Sequence, residues 1–284
     1  MRPPESLTAA ERAMGLLEAQ AARRRVGFAE RTAMLDALEV LPAEGPPLVA
    51  RADRLRSRLE KADTELVRTL RARVRTRDYT PAGLRRALLA HAGEPGRAGA
   101  YDALDRLVAA MLDGGAPAAQ SVTLEPGMVP YQPTPARVVL ALLERARIGP
   151  KDVFYDLGSG LGHVVLLVAL LAGARGVGVE IEPAFVEVAR RSARRLGVRG
   201  VSFVEGDARA SSLDGGTVYF LYTPFRGALL RQVLGSIREQ SRHRPIRVCT
   251  HGPCGTSVAR VPWLRRVDGG GRLDERTVTV FRPV

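Results

Sequence analysis

Residues 153–163 read Val-Phe-Tyr-Asp-Leu-Gly-Ser-Gly-Leu-Gly-His, and this stretch decides the fold. An apolar run with the character of a buried strand leads into a turn with glycine at positions 158, 160 and 162, and an apolar helical run follows. Glycine lets the backbone turn sharply and approach a ligand without a Cβ in the way. Open α/β sheets bind ligands beyond the carboxyl ends of their strands. The stretch therefore predicts a ligand site at the end of the first strand of such a sheet.

Strands alternate with helices over the rest of the C-terminal half. Further strand-like runs cover residues 176–180, 201–205, 217–222 and 246–250. This alternation implies right-handed crossovers and a parallel sheet. Two last strands, near 263–267 and 276–282, flank Gly269-Gly270-Gly271, a connection too short for a crossover. The predicted fold is α/β, a Rossmann-like seven-stranded sheet that is parallel apart from a terminal antiparallel hairpin.

The N-terminal part reads as helices joined by turns. Thr8 and Glu11 have the spacing of a capping box, and Thr80 before Pro81 marks another helix start. A break covers residues 43–47. We predict an α-helical domain at 1–115, a linker at 116–128 and the α/β domain at 129–284. The helical domain would serve as a substrate lid or a partner-binding surface.

Charge and cysteine content limit the function classes. The formal net charge is +13, but arginine supplies nearly all of it and asparagine is absent, which indicates a compositional bias. The basic runs at 23–25, 71–77 and 190–195 lie on predicted helices, so solvated helix faces are favoured over an anion site, and nucleic acid is not expected as a partner. The N-terminus lacks an apolar signal region, the longest apolar run (164–172) is too short for a bilayer, and two cysteines give no disulfide framework. These features predict a cytoplasmic protein without membrane association.

Two cofactor classes compete for the glycine turn. A dinucleotide site requires the spacing G-x-G-x-x-G, but the last required position is His163. The spacing G-x-G-x-G after Asp156 is the pattern for S-adenosylmethionine (SAM). A carboxylate there would repel a pyrophosphate, whereas it suits the cationic amino group of SAM. The predicted cofactor is SAM, with S-adenosylhomocysteine (SAH) as product, and the simpler alternative is a glycine turn without a ligand.

Acidic residues at the ends of the next two strands complete the predicted donor site. Glu180 would accept hydrogen bonds from both ribose hydroxyls. Asp207 would bond the exocyclic amine of the adenine, and its alternative is a turn aspartate. The predicted donor-binding residues around these strand ends are Asp156, Gly158, Ser159, Gly160, Gly162, Glu180 and Asp207.

These motifs resemble the class I SAM-dependent methyltransferases from about residue 128 to the C-terminus. Residues 129–135 read Val-Pro-Tyr-Gln-Pro-Thr-Pro, and together with residues 152–160 they look like the seven-strand protein-lysine methyltransferases. That group includes an archaeal enzyme, its mitochondrial relatives and, more distantly, the histone enzymes of the disruptor-of-telomeric-silencing class. In this family the segment closes over the donor. The resemblance therefore implies that Tyr131 and Thr134 contact SAM.

The run after the fourth strand, Tyr222-Thr223-Pro224-Phe225, departs from the nucleic-acid amino methyltransferases. Those enzymes usually have Asp or Asn, Pro, Pro and an aromatic residue there, so the weaker acceptor Thr223 disfavours methylation of a base amine. The asparagine of the histone class is missing as well. Tyr222 and Phe225 lie where the acceptor channel is expected, and their aromatic faces would favour the developing positive charge. Tyr222 would also contact the donor.

One further candidate residue is His251, which follows the fifth strand. It could serve as a general base for a hydroxyl acceptor. Its neighbours Cys249 and Cys254 complete a set of three metal-ligand types without a partner pair elsewhere, so no metal site is expected. The predicted catalytic residues are Tyr222, Phe225 and His251.

Three functions fit the sequence. The first is a methyltransferase that N-methylates a protein lysine. The second is a small-molecule O- or N-methyltransferase of a biosynthetic pathway, with the N-terminal helices as its lid. The third is a non-catalytic SAM- or nucleotide-binding module that uses those helices for interactions. The expected partner is thus a protein or small-molecule methyl acceptor.

Overall fold

The computed structural model describes residues 7–42, 44–96, 99–223, 225–267 and 273–284. Pro224, the three glycines 269–271 and the first residue of the predicted break at 43–47 lie outside these ranges. The secondary structure follows the predicted order, with helices first and then alternating strands and helices. The elements are α1 (Ala9–Ala21), α2 (Phe28–Glu39), α3 (Pro46–Thr76), α4 (Pro81–His91), α5 (Ala103–Leu112), α6 (Ala136–Arg145), β1 (Val153–Leu157), α7 (His163–Ala172), β2 (Arg175–Glu180), α8 (Pro183–Leu196), β3 (Val201–Glu205), β4 (Val218–Tyr222), α9 (Gly227–Ser241), β5 (Arg247–His251), α10 (Cys254–Val258), β6 (Leu264–Arg266) and β7 (Thr279–Pro283).

The strands form one seven-stranded sheet in the order β3-β2-β1-β4-β5-β7-β6. The pairs among β3, β2, β1, β4 and β5 are parallel, whereas β7 is antiparallel to both β5 and β6. The predicted α/β fold with a terminal antiparallel hairpin is confirmed. The strand order reverses between β1 and β4, and such a reversal opens a crevice at the carboxyl ends of the two strands.

The central strands are apolar because both of their faces are covered. Every residue of β1 is buried. Phe154 packs into a cluster with α6 and α7, whereas its neighbours Val153 and Tyr155 pack into a second cluster with α9. The helix α7 is buried nearly all round, which explains its continuous apolar sequence.

Local signals set the helix starts in the N-terminal part. The Thr8 hydroxyl accepts from the Glu11 amide at 3.1 Å, and the Glu11 carboxylate accepts from the Thr8 amide at 2.7 Å, which is the predicted capping box. The Thr80 hydroxyl accepts from the Gly83 amide at 3.0 Å. Both helix starts lie where the sequence predicts them.

The hydrophobic core runs across the predicted boundary near residue 115. Buried side chains of α3, α4 and α5, including Leu70, Leu88 and Leu107, belong to the same cluster as Val139 of α6 and Leu166 of α7. Helices α1 and α2 and the first half of α3 bury a separate cluster of their own. The division into domains at 1–115, 116–128 and 129–284 stays a prediction.

A search of the described helices for a membrane-spanning candidate finds none with the necessary length and apolar character.

Candidate donor and acceptor site

A cavity of about 290 Å³ opens at the carboxyl ends of β1, β2 and β4. Its volume is close to the roughly 300 Å³ at which small-molecule sites in proteins begin. Most of the predicted site residues meet there, although they come from distant parts of the chain. Those that line it are Tyr131, Thr134, Asp156, Gly158, Ser159, Glu180, Asp207, Tyr222 and Phe225.

The glycine turn is fastened to the end of β2. The amides of Gly158 and Ser159 donate to the Val179 carbonyl at 2.9 and 3.0 Å. The Gly160 amide donates to Oε2 of Glu180 at 2.8 Å, and Oε1 of Glu180 accepts from the Glu182 amide at 3.0 Å. Each carboxylate oxygen keeps a lone pair for a further donor such as a ribose hydroxyl. The turn and the acidic residue therefore form one unit.

The Tyr131 ring lies directly against Gly160. A Cβ on Gly160 would overlap this ring, within 2.5 Å of its Cδ2 atom, and Gly160 has φ of +50°. The ring also packs against Phe185 of α8, with 4.9 Å between the centroids. Burial raises the pKa of the Tyr131 hydroxyl to about 12. The segment before α6 thus crosses the glycine turn, and only glycine at position 160 leaves room for it.

Asp156 is buried at the end of β1, at the wall of the cavity. Burial, and secondly the neighbouring charge of Glu180, raise the pKa of its carboxyl well above the ordinary value. A buried carboxylate beside another acid is stabilised when a cation binds against it. The ammonium group of an amino acid moiety has the required charge.

Asp207 is engaged by its own turn. Its Oδ1 accepts from the Arg209 amide at 2.8 Å, and its Oδ2 accepts from Nε of Arg209 at 2.7 Å. The Arg209 guanidinium also pairs with Glu125 at 3.0 Å. Hydrogen bonding to Arg209 lowers the pKa of Asp207. The residue lines the cavity as a turn aspartate, and its contact with an adenine amine stays a prediction.

The end of β4 is held in a strained conformation. Thr223 has φ of +46°, a value that a β-branched residue adopts only when its surroundings enforce it. Its buried hydroxyl donates to the His251 carbonyl at 3.1 Å and accepts from the Cys254 amide at 3.4 Å. Because this hydroxyl connects β4 to the end of β5, it aims Tyr222 and Phe225 at the cavity.

His251 lies one layer behind the cavity wall. Its ring packs against Tyr222, with 4.8 Å between the centroids, and it is not among the described residues that line the cavity. Burial lowers its pKa, which the Thr277 backbone and Asp274 oppose. The imidazole is therefore held neutral and screened by Tyr222.

Gly162 likewise lies outside the wall. A Cβ there would come within 2.6 Å of Phe203 and 2.7 Å of Ala189. This glycine allows β3 and α8 to pack closely against the start of α7. Its contribution in the structure is to the shape of the turn.

One wall of the cavity has no counterpart among the site residues predicted from the sequence. Gln120, Val122 and Leu124 of the predicted linker line it. Oε2 of Glu182 accepts from the amides of Ser121 and Val122 at 2.9 and 3.0 Å. The linker is thus part of the site and not a free connection.

Glu182 also caps α8, where its Oε1 accepts from the Ala184 amide at 3.2 Å. Burial would raise the pKa of this carboxyl, but the bonds from Val122, Ser121 and Ala184 outweigh burial and lower it. The pair Glu182-Pro183 is a sequence pattern that predicts a helix start. No pattern in the neighbouring residues predicts the contact between Glu182 and the linker.

Comparison with known proteins gives matches to methyltransferases. A family model described as "Histone methylation protein DOT1" matches residues 130–203, which include Tyr131, the glycine turn and Glu180. A protein-lysine N-methyltransferase of Saccharolobus islandicus is 34% identical over 96 residues, which are 33% of this chain and 60% of that protein. A histone-lysine N-methyltransferase of Cryptococcus neoformans, specific for lysine 79 of histone H3, is 42% identical over 55 residues, or 19% of this chain and 8% of that protein.

The chain therefore spans three fifths of the archaeal relative and under a tenth of the fungal one. Among solved structures, an RNA methyltransferase of Salinibacter ruber in complex with SAH is 37% identical and has a TM-score of 0.41. The match covers 53% of this chain and 92% of that one.

Proposed function

We propose that the chain is a class I SAM-dependent methyltransferase with SAM as its donor, and that it methylates the side-chain amine of a protein lysine. One observation carries this proposal. The stretch 130–203, which supplies Tyr131, Asp156 and Glu180 to the cavity, matches the histone methylation family, and the archaeal relative is a protein-lysine methyltransferase. The small-molecule methyltransferase and the non-catalytic module become alternative outcomes of the test.

The residues at the cavity fit the donor's groups. The Asp156 carboxylate would bind the amino group, and the Glu180 carboxylate would bind the ribose hydroxyls. Tyr131, Thr134, Ser159 and the glycine turn would enclose the donor from the other side. The sulfonium of SAM supplies a methyl group that is already activated. The protein's own task is therefore to exclude water and to hold the acceptor in line.

In the transfer, the amine lone pair forms a bond to the methyl carbon while the carbon–sulfur bond breaks and its electrons stay on sulfur. The proton of the lysine ammonium passes to solvent before this step, and the product leaves as a methylammonium. Orientation of this kind can lower a barrier by roughly 7 kcal/mol or more in favourable cases. The lysine amine must be neutral to react, and desolvation between Tyr222 and Phe225 lowers its pKa. The same aromatic faces favour the positive charge that develops.

The position of His251 supports an amine acceptor over a hydroxyl acceptor. A hydroxyl group requires a general base within hydrogen-bond reach. His251 lies behind the Tyr222 ring, away from the cavity wall. A neutral amine needs no such base, so the described wall suits it.

The test is to incubate the pure chain with methyl-labelled SAM and a cell lysate separated into protein, RNA and metabolite fractions. We expect label in the protein fraction, with methylated lysine identified by mass spectrometry of tryptic peptides. A Phe225→Ala variant should bind SAH and lose most of this labelling. Label found only in metabolites or only in RNA would overturn the lysine proposal, and binding of SAH without any labelling would favour the non-catalytic module.

The proposal includes a cytoplasmic location and a role for the N-terminal helices. Both cysteines are held as buried thiols, which supports a cytoplasmic location. The N-terminal helices would contribute to acceptor selection, since the linker that follows them forms one wall of the cavity.

A further inference from the structure

Helix α6 begins directly after the segment that crosses the glycine turn, and another part of the chain caps it. The residue at its N-cap position is Pro135, which has no polar side chain. The first free amide of the helix, that of Ala136, instead donates to Oδ1 of Asp105 at 2.7 Å. Asp105 lies on α5, 31 residues earlier. A capping oxygen normally comes from the residue next to the helix, so this cap connects two parts of the chain.

The same carboxylate closes the start of α5. Its Oδ2 accepts from the Asp102 amide at 2.7 Å, and Oδ1 of Asp102 accepts from the Leu104 amide at 2.8 Å. Two helix N-termini therefore converge on Asp105. The positive ends of both helix dipoles favour a negative charge there, but burial outweighs them and raises the pKa of Asp105.

Two further contacts join the same elements. The Tyr101 hydroxyl donates to the carbonyl of Pro133, and the Arg137 guanidinium pairs with Asp102. Arg137 also donates to the Gly93 carbonyl at 3.0 Å. The bonds from residues 101, 102 and 105 thus hold the chain on both sides of Pro135.

The held segment is the one that closes the donor cavity. Tyr131 and Thr134 line the cavity, and the Tyr131 ring lies against Gly160. Tyr131 and Thr134 lie within a few residues of two bonded backbone groups, the Pro133 carbonyl and the Ala136 amide. Pro133 and Pro135 restrict the backbone of this short segment. A shift at Ala136 would therefore move the Tyr131 ring away from the glycine turn.

We propose that Asp105 is a positioning residue of the donor site, through which the N-terminal helices hold the segment 131–135 in its donor-binding place. This inference rests on the donor site of the proposed function. It assigns the N-terminal helices a role in donor affinity, in addition to any role in acceptor choice.

The test compares three variants by calorimetric binding of SAH and by thermal unfolding. Asp105→Ala removes both bonds, and we expect the SAH dissociation constant to rise about tenfold, or about 1.4 kcal/mol. Asp105→Asn keeps one acceptor oxygen and should recover most of the affinity. Tyr101→Phe leaves the α5 cap intact and should weaken SAH binding by about threefold with little change in the unfolding temperature.

The matched control is Glu11→Ala, which breaks the same kind of capping box in α1, a helix that does not contribute to the cavity wall. It should lower the unfolding temperature and leave the SAH dissociation constant unchanged. Wild-type affinity in both folded Asp105→Ala and Tyr101→Phe would overturn the inference, as would an equal loss in Glu11→Ala. If Asp105→Ala does not fold, Tyr101→Phe decides. A wild-type chain that takes up no SAH would instead overturn the donor site itself.

Discussion

The contact between Gly160 and Tyr131 shows how one residue sets the shape of the donor site. Gly160 combines a positive φ with a neighbour where a Cβ would have to be, so two separate constraints require glycine. At the same time its amide is bonded to Glu180. The turn, the covering aromatic ring and the Glu180 carboxylate therefore depend on a single position.

We expect Gly160→Ala to raise the SAH dissociation constant by more than about tenfold, since the methyl group displaces Tyr131. Calorimetry measures this directly. The control is Gly197→Ala, because Gly197 has φ of +65° but no atom near its missing Cβ. That variant should lose only about 1 kcal/mol of stability and no affinity. Equal affinities of the two variants would contradict the steric argument.

The ionisation of Asp156 predicts how donor binding depends on pH. Its pKa is raised in the folded chain, so the folded chain binds this proton more tightly than the unfolded chain does. The resulting stability is fully present below the ordinary aspartate pKa and is lost as pH rises through the raised pKa. A bound ammonium favours the carboxylate, so SAH affinity should increase over the same rise.

Calorimetry between about pH 5 and about pH 8 measures this dependence. An ordinary aspartate stays ionised throughout this range. Asp156→Asn should bind SAH weakly and with little pH dependence. An affinity that falls as pH rises in the wild-type chain would contradict the prediction.

At the scale of elements, the site depends on segments that have no regular structure of their own. Residues 120–124 gain their place from Glu182, which caps α8 and accepts from two linker amides. The carboxylate that caps the start of α8 therefore also fixes the backbone of one cavity wall. Loops positioned by rigid elements in this way commonly carry function.

Replacing Glu182 by Gln should loosen the linker, because a neutral amide oxygen accepts more weakly than the carboxylate oxygen Oε2 that holds both linker amides. We expect the amides of Ser121 and Val122 to exchange hydrogen about tenfold faster, as the loss of a charge-assisted bond of roughly 1.5 kcal/mol implies. Hydrogen exchange with and without SAH measures the effect. Glu187→Gln, on the exposed part of the same helix, is the control and should leave both amides as in the wild-type chain. Equal protection in both variants would show that Glu182 does not hold the linker.

At the scale of the whole molecule, one hydrophobic cluster joins the N-terminal helices to the sheet. Helices α4 and α5 pack on α7, the helix that follows the glycine turn. Leu107 of α5 is fully buried in this shared cluster. The donor site therefore rests on a core to which both halves of the chain contribute.

Leu107→Ala should destabilise the chain by about 2–5 kcal/mol through loss of burial and the cavity left behind. Unfolding in denaturant, followed at the same time by far-UV circular dichroism and SAH binding, should show both signals lost together. Leu16→Ala, at a side chain 73% exposed on α1, is the control and should stay within about 0.5 kcal/mol of the wild-type chain. Loss of helix signal at a lower denaturant concentration than loss of binding would contradict a shared core.

The sequence by itself determined the features that depend on neighbouring residues. The bounds of β1, the glycine turn and the caps at Thr8 and Thr80 follow from periodicity, backbone freedom and side-chain reach within a few positions. The antiparallel hairpin follows from the length of its connection. All of these agree with the structure because each is decided locally.

Tertiary structure alone decided the contacts between distant residues. Asp105 caps a helix 31 residues away, and Glu182 holds a linker 61 residues before it. His251 lies behind Tyr222 because β4 and β5 are neighbouring parallel strands, in which these two residues are paired at the ends. No local pattern encodes such pairs, because a carboxylate that caps its own helix and one that also reaches another segment look the same in sequence.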